Sequence, residues 1–303
     1  MNNLSPSLQT RKRLLAVGEA VLVTLIWGSS FVFVKIGLQD LGPLTIGGLR
    51  YFLGFLILLP WLIHRNGLRK AFQSKVWLRL LGIGVSAYTV GNGALFWGLK
   101  YLPATMVSFL MSLTPLLMLF GGMIWLQEFP TQWQIVGVLI SLMGSGLFFT
   151  TGLQPGAAPG LGIVAVGLIA FLIFGLLGRE IARDQLLDNL TLTALPLGIG
   201  GGLLLLIAFP LEGFPSFTFQ SVRVILWLAV INTALGYLAY NHSLQELTAM
   251  EINSILNLTP LGTMLLSWWL LGEQLAPLQV AGMVVMVAGV IVVERTGRRR
   301  KSS

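Results

Sequence analysis

The feature that most constrains this chain is a series of ten long apolar runs, separated by short segments rich in turn-forming residues. A helix needs about 20 mostly apolar residues to cross the hydrocarbon core of a bilayer. Because the runs are continuously apolar, with no alternation of polar residues, they predict helices and exclude a membrane β-barrel. The sequence therefore predicts an all-α integral membrane protein with ten transmembrane helices. The predicted spans are residues 16–38, 44–63, 77–99, 103–126, 132–151, 160–182, 190–210, 222–244, 249–272 and 277–294.

The composition supports a lipid environment and argues against other classes. Hydrophobic residues make up 55% of the chain and charged residues only 10%, whereas soluble domains carry about 25% charged residues. The net charge is +8, but the basic residues cluster between the apolar runs. That placement indicates an orientation signal, and no nucleic-acid partner is expected. Cysteine is absent, so no disulfide framework and no cysteine-based metal site is expected.

The distribution of basic residues predicts the orientation in the membrane. Ten spans place both termini on the same side, and Lys and Arg concentrate in cytoplasmic loops. With both termini inside, only four of the 19 basic residues lie on the outer side, namely Lys35, Arg50, Lys100 and Arg223. We therefore expect a multi-pass protein of the cell (inner or plasma) membrane. Residues 1–15 would form a cytoplasmic N-terminal tail and residues 295–303 a basic cytoplasmic C-terminal tail.

The chain also contains an internal repeat at an offset of 145 residues. Residues 94–149 share 13 identities with the segment 145 positions later, without a gap. Chance matching of apolar segments explains the leucines but not Pro, Glu, Gln and Gly in one register. The informative matches are Leu113-Thr114-Pro115-Leu116 with Leu258-Thr259-Pro260-Leu261, Glu128 with Glu273, Gln134 with Gln279, Gly137 with Gly282, and Gly144 with Gly289.

The repeat predicts two five-helix halves, residues 16–151 and 158–294. Because five is odd, the second half would lie upside down relative to the first. Inverted repeats are a recurrent plan of secondary transporters, in which two near-symmetric conformations open to opposite sides. The alternative is duplication of a stable bundle that has no role in transport.

The same residues resemble those of the drug/metabolite transporter superfamily, specifically its EamA-type members. The resemblance covers nearly the whole chain. It implies ten helices in two five-helix halves, a central substrate cavity, and export or exchange of amino acids, related metabolites or drugs. Span six departs from it, because Phe171 and Phe174 stand where many relatives have a tryptophan-containing motif. The residues that carry the resemblance are Trp27-Gly28-Ser29-Ser30-Phe31, Lys35, Leu49-Arg50-Tyr51-Phe52, Pro115, Glu128, Gly137, Pro260, Leu271-Gly272-Glu273 and Gly282.

Polar and aromatic side chains recur along one face of four predicted spans, where lipid would otherwise leave polar groups without partners. We expect these four stripes to converge on a central substrate cavity, with Trp27 stacking on the solute. The alternative is that the polar residues hydrogen-bond neighbouring helices to one another and that Trp27 is a packing anchor. In spans three and eight the stripes are Tyr88, Asn92 and Phe96, and Thr233, Tyr237 and Asn241; in spans four and nine they are Ser108 and Ser112, and Asn253 and Asn257.

Two kinds of residue suggest coupling and movement. Glu251, near the start of span nine, could carry a coupling proton or bind a cationic solute; the alternative is a hydrated residue at the interface. Pro115 and Pro260 remove a backbone hydrogen bond in mid-span and are candidate hinges, or static kinks that shape the cavity.

Three further charged positions are expected to be structural. Glu128 and Glu273 would bond free backbone N–H groups of the helix that follows each of them. Arg50 lies near the outer end of span two, where it would extend toward the headgroups with Asp40 as its partner.

No cofactor and no metal is expected, since the chain lacks a P-loop and other catalytic motifs and its two histidines lie far apart. An enzyme is therefore not expected. Transport would be driven by an ion gradient, by exchange or by the solute gradient alone. The expected partners are a small-molecule solute and the lipid bilayer. The alternatives are a flippase for a lipid-linked sugar and a membrane-embedded enzyme acting on a lipid-linked substrate.

Overall fold

A computed structural model describes residues 6–73, 76–98, 101–102, 104–150, 158–263 and 276–301. Every regular element in these ranges is a helix, which confirms the predicted all-α class. Nine helical segments of the described residues are long and apolar enough to cross a bilayer, and one of them, Met106–Leu126, contains a break. The predicted ninth span, residues 249–272, is described only to residue 263, so the total of ten spans stays a prediction.

The helices follow the predicted spans, with one short addition between the second and the third. They are α1 (Pro6–Gly37), α2 (Pro43–His64), α3 (Gly67–Gln73), α4 (Trp77–Gly98), α5 (Ala104–Met111), α6 (Thr114–Gly121), α7 (Gln132–Phe149), α8 (Ala158–Arg183), α9 (Asn189–Glu212), α10 (Phe219–Glu246), α11 (Ala249–Leu256) and α12 (Pro277–Lys301). The helix α1 begins well before residue 16, and α12 continues to residue 301. Both predicted tails are therefore largely helical.

Several helix starts follow from local sequence. Thr131 accepts a hydrogen bond from the Gln134 backbone N–H at 3.2 Å, and the Gln134 side chain bonds back to the Thr131 N–H at 2.8 Å. This capping box satisfies two of the free donors at the start of α7. Asp188 caps α9 in a similar way, accepting from the Thr191 N–H at 2.9 Å.

The two segments related by the 145-residue offset share local irregularities. A π-helical stretch occupies Gly84–Gly91 within α4 and Leu228–Leu235 within α10. The helix breaks at residues 112–113 and again at residues 257–258. After each break a threonine hydroxyl, Thr114 or Thr259, donates to the carbonyl three residues earlier at 2.6 Å. The repeat is therefore visible in backbone structure as well as in sequence.

The candidate hinge prolines do not lie in mid-helix as expected. Pro115 is in the first turn of α6, and Pro260 follows Thr259, where the helix resumes. A missing N–H is tolerated in a first turn, since that group has no partner within the helix. The discontinuity at each site is therefore the preceding break, and the prolines begin the helix beyond it.

A close helix contact joins α7 and α12, which run in opposite directions. A methyl group on Gly137 would lie 2.8 Å from the Gly289 carbonyl oxygen, and one on Gly144 would lie 2.8 Å from the Gly282 carbonyl oxygen. The 145-residue offset converts the first of these contacts into the second. Such a self-complementary contact is what a two-fold axis between equivalent helices produces.

The surface is strongly apolar, whereas polar groups lie inside. Phe214, Ile124 and Leu206 are among the most exposed large side chains, at 88%, 79% and 70%. Buried polar residues such as Asn232 and Thr233 lie in the interior at 1% and 0% exposure. Exposed apolar faces on so many helices fit lipid contact, and they direct the search for a site to the interior.

Candidate functional site

Six aromatic side chains from five helices meet in the centre of the bundle, and we call them the aromatic cluster. Tyr51 and Tyr88 have ring centroids 4.7 Å apart, and Tyr88 and Tyr237 are 5.2 Å apart. These separations fall in the range in which aromatic pairs attract each other. The cluster thus brings together helices from both sequence repeats. Its members are Trp27 of α1, Tyr51 of α2, Tyr88 of α4, Phe174 of α8, and Tyr237 and Tyr240 of α10.

The π-helical stretches supply backbone acceptors beside this cluster. The Trp27 indole N–H donates to the Asn232 carbonyl at 3.0 Å, and the Asn92 amide donates to the Ala87 carbonyl at 2.7 Å. Ala87 and Asn232 are equivalent under the 145-residue offset. Wider π turns leave carbonyl groups accessible to side chains and are frequent at functional sites. The two stretches therefore hold side chains at matched positions in the two repeats.

A polar edge borders the aromatic cluster where α1, α2 and α10 meet. Arg50 donates from Nη1 to Ser30 Oγ at 2.8 Å and from Nη2 to the Tyr51 hydroxyl at 2.6 Å. Its guanidinium carbon lies 4.5 Å from the centre of the Tyr51 ring. Asn232 donates to Ser29 Oγ at 3.1 Å, which ties α10 to the same turn of α1. We define the polar edge as Ser29, Ser30, Arg50, Asn232 and Thr233.

The expected pairing of Arg50 with Asp40 is wrong. Asp40 accepts a hydrogen bond from the Thr218 hydroxyl at 2.5 Å instead. The Arg50 side chain extends inward because Tyr51 and Ser30 offer it a hydroxyl each and an aromatic face. The sequence contained an indication that Arg50 has a role inside the protein, since a charged residue inside a span usually has a function.

Four of the residues predicted to line the cavity lie at the aromatic cluster or its polar edge, and a fifth lies close by. Asn253 donates to the Ala249 carbonyl at 2.8 Å and is a neighbour of Tyr240. Tyr51, Phe174 and Tyr240 of the aromatic cluster were not among the predicted lining residues. Tyr240 shares a helix face with Tyr237 at a spacing of three residues, which is the signal that could have found it. The four predicted residues are Trp27, Tyr88, Thr233 and Tyr237.

The remaining predicted residues bond to neighbouring helices or to their own backbone. Asn257 donates to Ser141 and Ser145 of α7, both at 3.1 Å. Asn241 donates to the Thr193 hydroxyl of α9 at 3.0 Å. These bonds join helices in the way that polar residues do in membranes. Asn92 bonds within α4 and Ser112 bonds the Phe109 carbonyl, while Phe96 packs beside Gly47 and Ser108 lies on α5.

A second group of polar residues, the inner ion-pair network, links the ends of helices at the predicted cytoplasmic side. Arg13 of α1 pairs with Glu251 at 2.9 Å and with Glu294 at 3.2 Å. Gln134 of α7 donates to Glu251 at 3.1 Å. Glu251 is only 2% exposed, so its carboxylate is stabilised by these partners and not by water.

A third ion pair of this network joins Arg179 of α8 to Glu128 at 2.8 Å. Glu128 also accepts the backbone N–H of Ala249 at 3.2 Å. It therefore bonds the start of α11, in the other repeat, and not the helix that follows it as expected. Glu273, its counterpart, lies outside the described residues. A cleft of about 310 Å³ opens between these residues and is also lined by Arg183.

The predicted cytoplasmic surface beside this cleft carries further ion pairs, and one of them joins Arg183 to Asp184. Arg183 donates to Asp184 at 2.8 Å. This hydrogen bond holds the pKa of the Asp184 carboxyl below its ordinary value, so Asp184 is ionised at neutral pH. Within the described residues, no group of three or more His, Cys, Asp or Glu side chains is placed to hold a metal ion.

Comparison with known proteins agrees with this architecture. The sequence model of the EamA-like transporter family matches residues 14–150 and again residues 160–295. An uncharacterized transporter of Archaeoglobus fulgidus is 27% identical over 89% of this chain and 93% of its own length. One crystal structure, 16% identical, has a TM-score of 0.81 over 95% of this chain and 99% of that chain, which shows a shared fold.

Two similar proteins have more specific names. A probable terminal-alkyne amino-acid exporter of Streptantibioticus cattleyicolor is 25% identical over 95% of this chain and 97% of its own length. A probable amino-acid metabolite efflux pump of Salmonella typhimurium is 25% identical over 92% and 96%. The family and the membrane-spanning helices together indicate a multi-pass membrane transporter of small solutes. The chain belongs to the EamA-like transporter family, within the drug/metabolite transporter superfamily.

Proposed function

We propose that the protein is a secondary transporter that exports or exchanges small amphipathic organic solutes, amino acids and related metabolites included. The observation that carries this proposal is the buried aromatic cluster with its polar edge. Trp27, Tyr51 and Tyr88 come from the first repeat, and Phe174 and Tyr237 come from the second. A binding site shared between two halves is exposed alternately when the halves rock against each other.

The contact between α7 and α12 supports an inverted arrangement of the two repeats. These helices are equivalent at the 145-residue offset, yet they run antiparallel, with Gly137 against Gly289 and Gly144 against Gly282. Equivalent helices that point in opposite directions are expected if one half is upside down. Ten spans with both termini in the cytoplasm follow from the same arrangement.

The inner ion-pair network supports alternating access, because each of its links crosses from one repeat to the other. Glu128 lies in the first repeat and Arg13 lies on α1, the helix that begins it, while Glu251, Glu294 and Arg179 lie in the second. These pairs hold the cytoplasmic ends of the halves together. We propose that they open when the solute site turns to the cytoplasm. Glu251 could still carry a coupling proton, and Pro115 and Pro260 could still begin the moving segments.

Transport in proteoliposomes tests the proposal directly. Uptake of labelled amino acids should be saturable, and Tyr237→Ala should weaken it because a ring that contacts Tyr51, Tyr88 and Trp27 is removed. Tyr101→Ala is the matched control, since Tyr101 is 41% exposed. If no solute of this class is transported, the proposed function is wrong. If Tyr237→Ala and Tyr101→Ala behave alike, the aromatic cluster is not the solute site.

Cysteine labelling tests the inverted arrangement, and the natural chain contains no cysteine that would interfere. Gln132 and Pro277 are the first residues of α7 and α12, are both exposed, and are equivalent at the 145-residue offset. Gln132→Cys should react with a membrane-impermeant reagent from the cytoplasmic side, and Pro277→Cys from the outer side. Reaction of both from the same side would contradict the inverted repeat.

A further inference from the structure

Arg50 is a cation inside α2 that has no carboxylate partner in the part of the chain that the structure describes. None of the ion pairs among the described residues includes it. Asp40, which precedes α2, accepts from Thr218, and Glu212 accepts the backbone N–H groups of Leu44 and Thr45 at the start of α2, so both of these carboxylates are engaged elsewhere. A charge within a membrane span is costly unless a partner compensates it, so Arg50 requires an explanation beyond packing.

The hydrogen bonds that Arg50 makes to described residues use only part of the donor capacity of its guanidinium. Of its five N–H donors, one bonds Ser30 and one bonds Tyr51. The Nε atom is enclosed and has no hydrogen-bond partner among the residues that the structure describes. An arginine with free N–H groups matches a carboxylate, whose two oxygens can accept parallel hydrogen bonds. A neutral ester or alcohol lacks the charge that would offset the buried cation.

The position of Arg50 connects this free edge to the aromatic cluster. Tyr51 accepts from Arg50, and its ring lies 4.7 Å from Tyr88 and 6.4 Å from Tyr237. On the α10 side of the polar edge, the Asn232 side-chain oxygen and the Thr233 hydroxyl are also buried without partners. The same region therefore offers an unpaired cation, unpaired polar atoms and aromatic surface.

We propose that Arg50 binds the carboxylate of the transported solute, whose apolar part packs against the aromatic cluster. This inference rests on the proposed function and narrows the substrate to small monocarboxylates with an apolar or aromatic body. Asn232 Oδ1 can accept a hydrogen bond from an ammonium group. Within this class, α-amino acids with apolar side chains can therefore bind Arg50 through their carboxylate and Asn232 through their ammonium group. Arg50, Asn232 and Thr233 thus recognise the charged groups of the solute, and the aromatic cluster recognises its apolar part.

Binding of matched probes to the purified full-length protein in nanodiscs tests this assignment. The probes are L-phenylalanine, 3-phenylpropionate and L-phenylalanine methyl ester, and acetate and inorganic phosphate report anion binding without the body. L-Phenylalanine and 3-phenylpropionate should bind more tightly than the ester, acetate or phosphate. Arg50→Gln should weaken binding of both carboxylates by about 30-fold or more, because it removes one partner of a buried charge pair, and should abolish the preference for acid over ester.

Two further variants keep the test decisive. Arg50→Lys retains the positive charge but loses the planar guanidinium. Its affinity for the two carboxylates should therefore fall less than in Arg50→Gln, and the difference in affinity between acid and ester should become smaller. Arg223→Gln removes an exposed arginine that lies 5.5 Å from the Phe219 ring, and it should leave binding of all probes unchanged. If Arg50→Gln does not fold, the acid-over-ester preference in the natural protein and its reduction in Arg50→Lys decide the question.

The possible failures are distinguishable. The role of Arg50 would be overturned if transport is saturable but acid and ester have equal affinity. It would also be overturned if the Arg50 variants bind carboxylates as the natural protein does. Either result would leave the transport function in place. Tight binding of phosphate or acetate alone would assign Arg50 to inorganic or small anions and would also overturn the substrate class. Absence of transport for every solute would overturn the proposed function itself.

Discussion

Replacing Gly144 with alanine places a methyl group against the backbone of α12. The new carbon would lie 2.8 Å from the Gly282 carbonyl oxygen, whereas ordinary van der Waals contact begins at 3.4 Å. It would also meet the Met286 backbone nitrogen. Neither neighbour is the flexible end of a side chain, so the two helices must separate.

The size of the effect follows from two opposing contributions. Overpacking at a tight contact costs about 1–3 kcal/mol, and alanine gains about 1 kcal/mol in helix propensity over glycine. Gly144→Ala should therefore destabilise the protein by up to about 2 kcal/mol, and by about 1–3 kcal/mol relative to a Gly→Ala change that meets no neighbour. Gly146 lies on the same helix, and a methyl group there would meet nothing within 4 Å. Gly146→Ala should be neutral or slightly stabilising, which makes it the matched control.

Unfolding midpoints in mixed detergent micelles measure both variants against the natural protein. A third variant, Gly289→Ala, is the counterpart of Gly144→Ala at the 145-residue offset and should cost a similar amount. A loss in Gly144→Ala and Gly289→Ala, with none in Gly146→Ala, would support a self-complementary contact. If Gly144→Ala were as stable as Gly146→Ala, the close approach of α7 and α12 would be refuted.

Three other changes have defined outcomes. Glu251→Gln removes the main charge partner of buried Arg13 and should lower stability by about 1–3 kcal/mol, seen as a lower unfolding midpoint; an unchanged midpoint would contradict the ion pair. Asn257→Ala should cost about 0.6–2 kcal/mol, and a double-mutant cycle with Ser141→Ala should show coupling, whereas strict additivity would exclude the hydrogen bond. Trp27→Phe keeps an aromatic ring but removes the indole donor, so solute affinity should change less than in Trp27→Ala; equal losses would show that the ring itself does not contribute.

The predicted lining residues show where reasoning from sequence alone reached its limit. Tyr88, Asn92 and Phe96 share one face of a regular α-helix, but the π-helical stretch Gly84–Gly91 changes the number of residues per turn within that span. Tyr88 points into the aromatic cluster, while Asn92 bonds its own backbone. A helical-wheel argument cannot anticipate this, because it assumes a constant rotation for each residue.

The inner ion-pair network could not be predicted from the sequence either. Arg13 and Glu251 are separated by 238 positions, and both lie near predicted span ends, where hydration is the ordinary expectation. Only packing of α1 against α11 and α12 brings them to 2.9 Å and excludes water. The same holds for Glu128, whose bond to Ala249 joins the two repeats across 121 positions.

The amino-acid sequence by itself determined that the chain lies in a membrane, that it is helical and that a 145-residue repeat relates its halves. These properties depend on the apolarity and length of each run and on the fixed offset of the repeat, all of which can be read from the sequence without knowing the fold. The tertiary structure decided which polar groups meet, because the rotation of each helix and its neighbours set the direction of every side chain. Arg50 could therefore be recognised as a charge within a span, but its partners and its unpaired Nε became apparent only after folding.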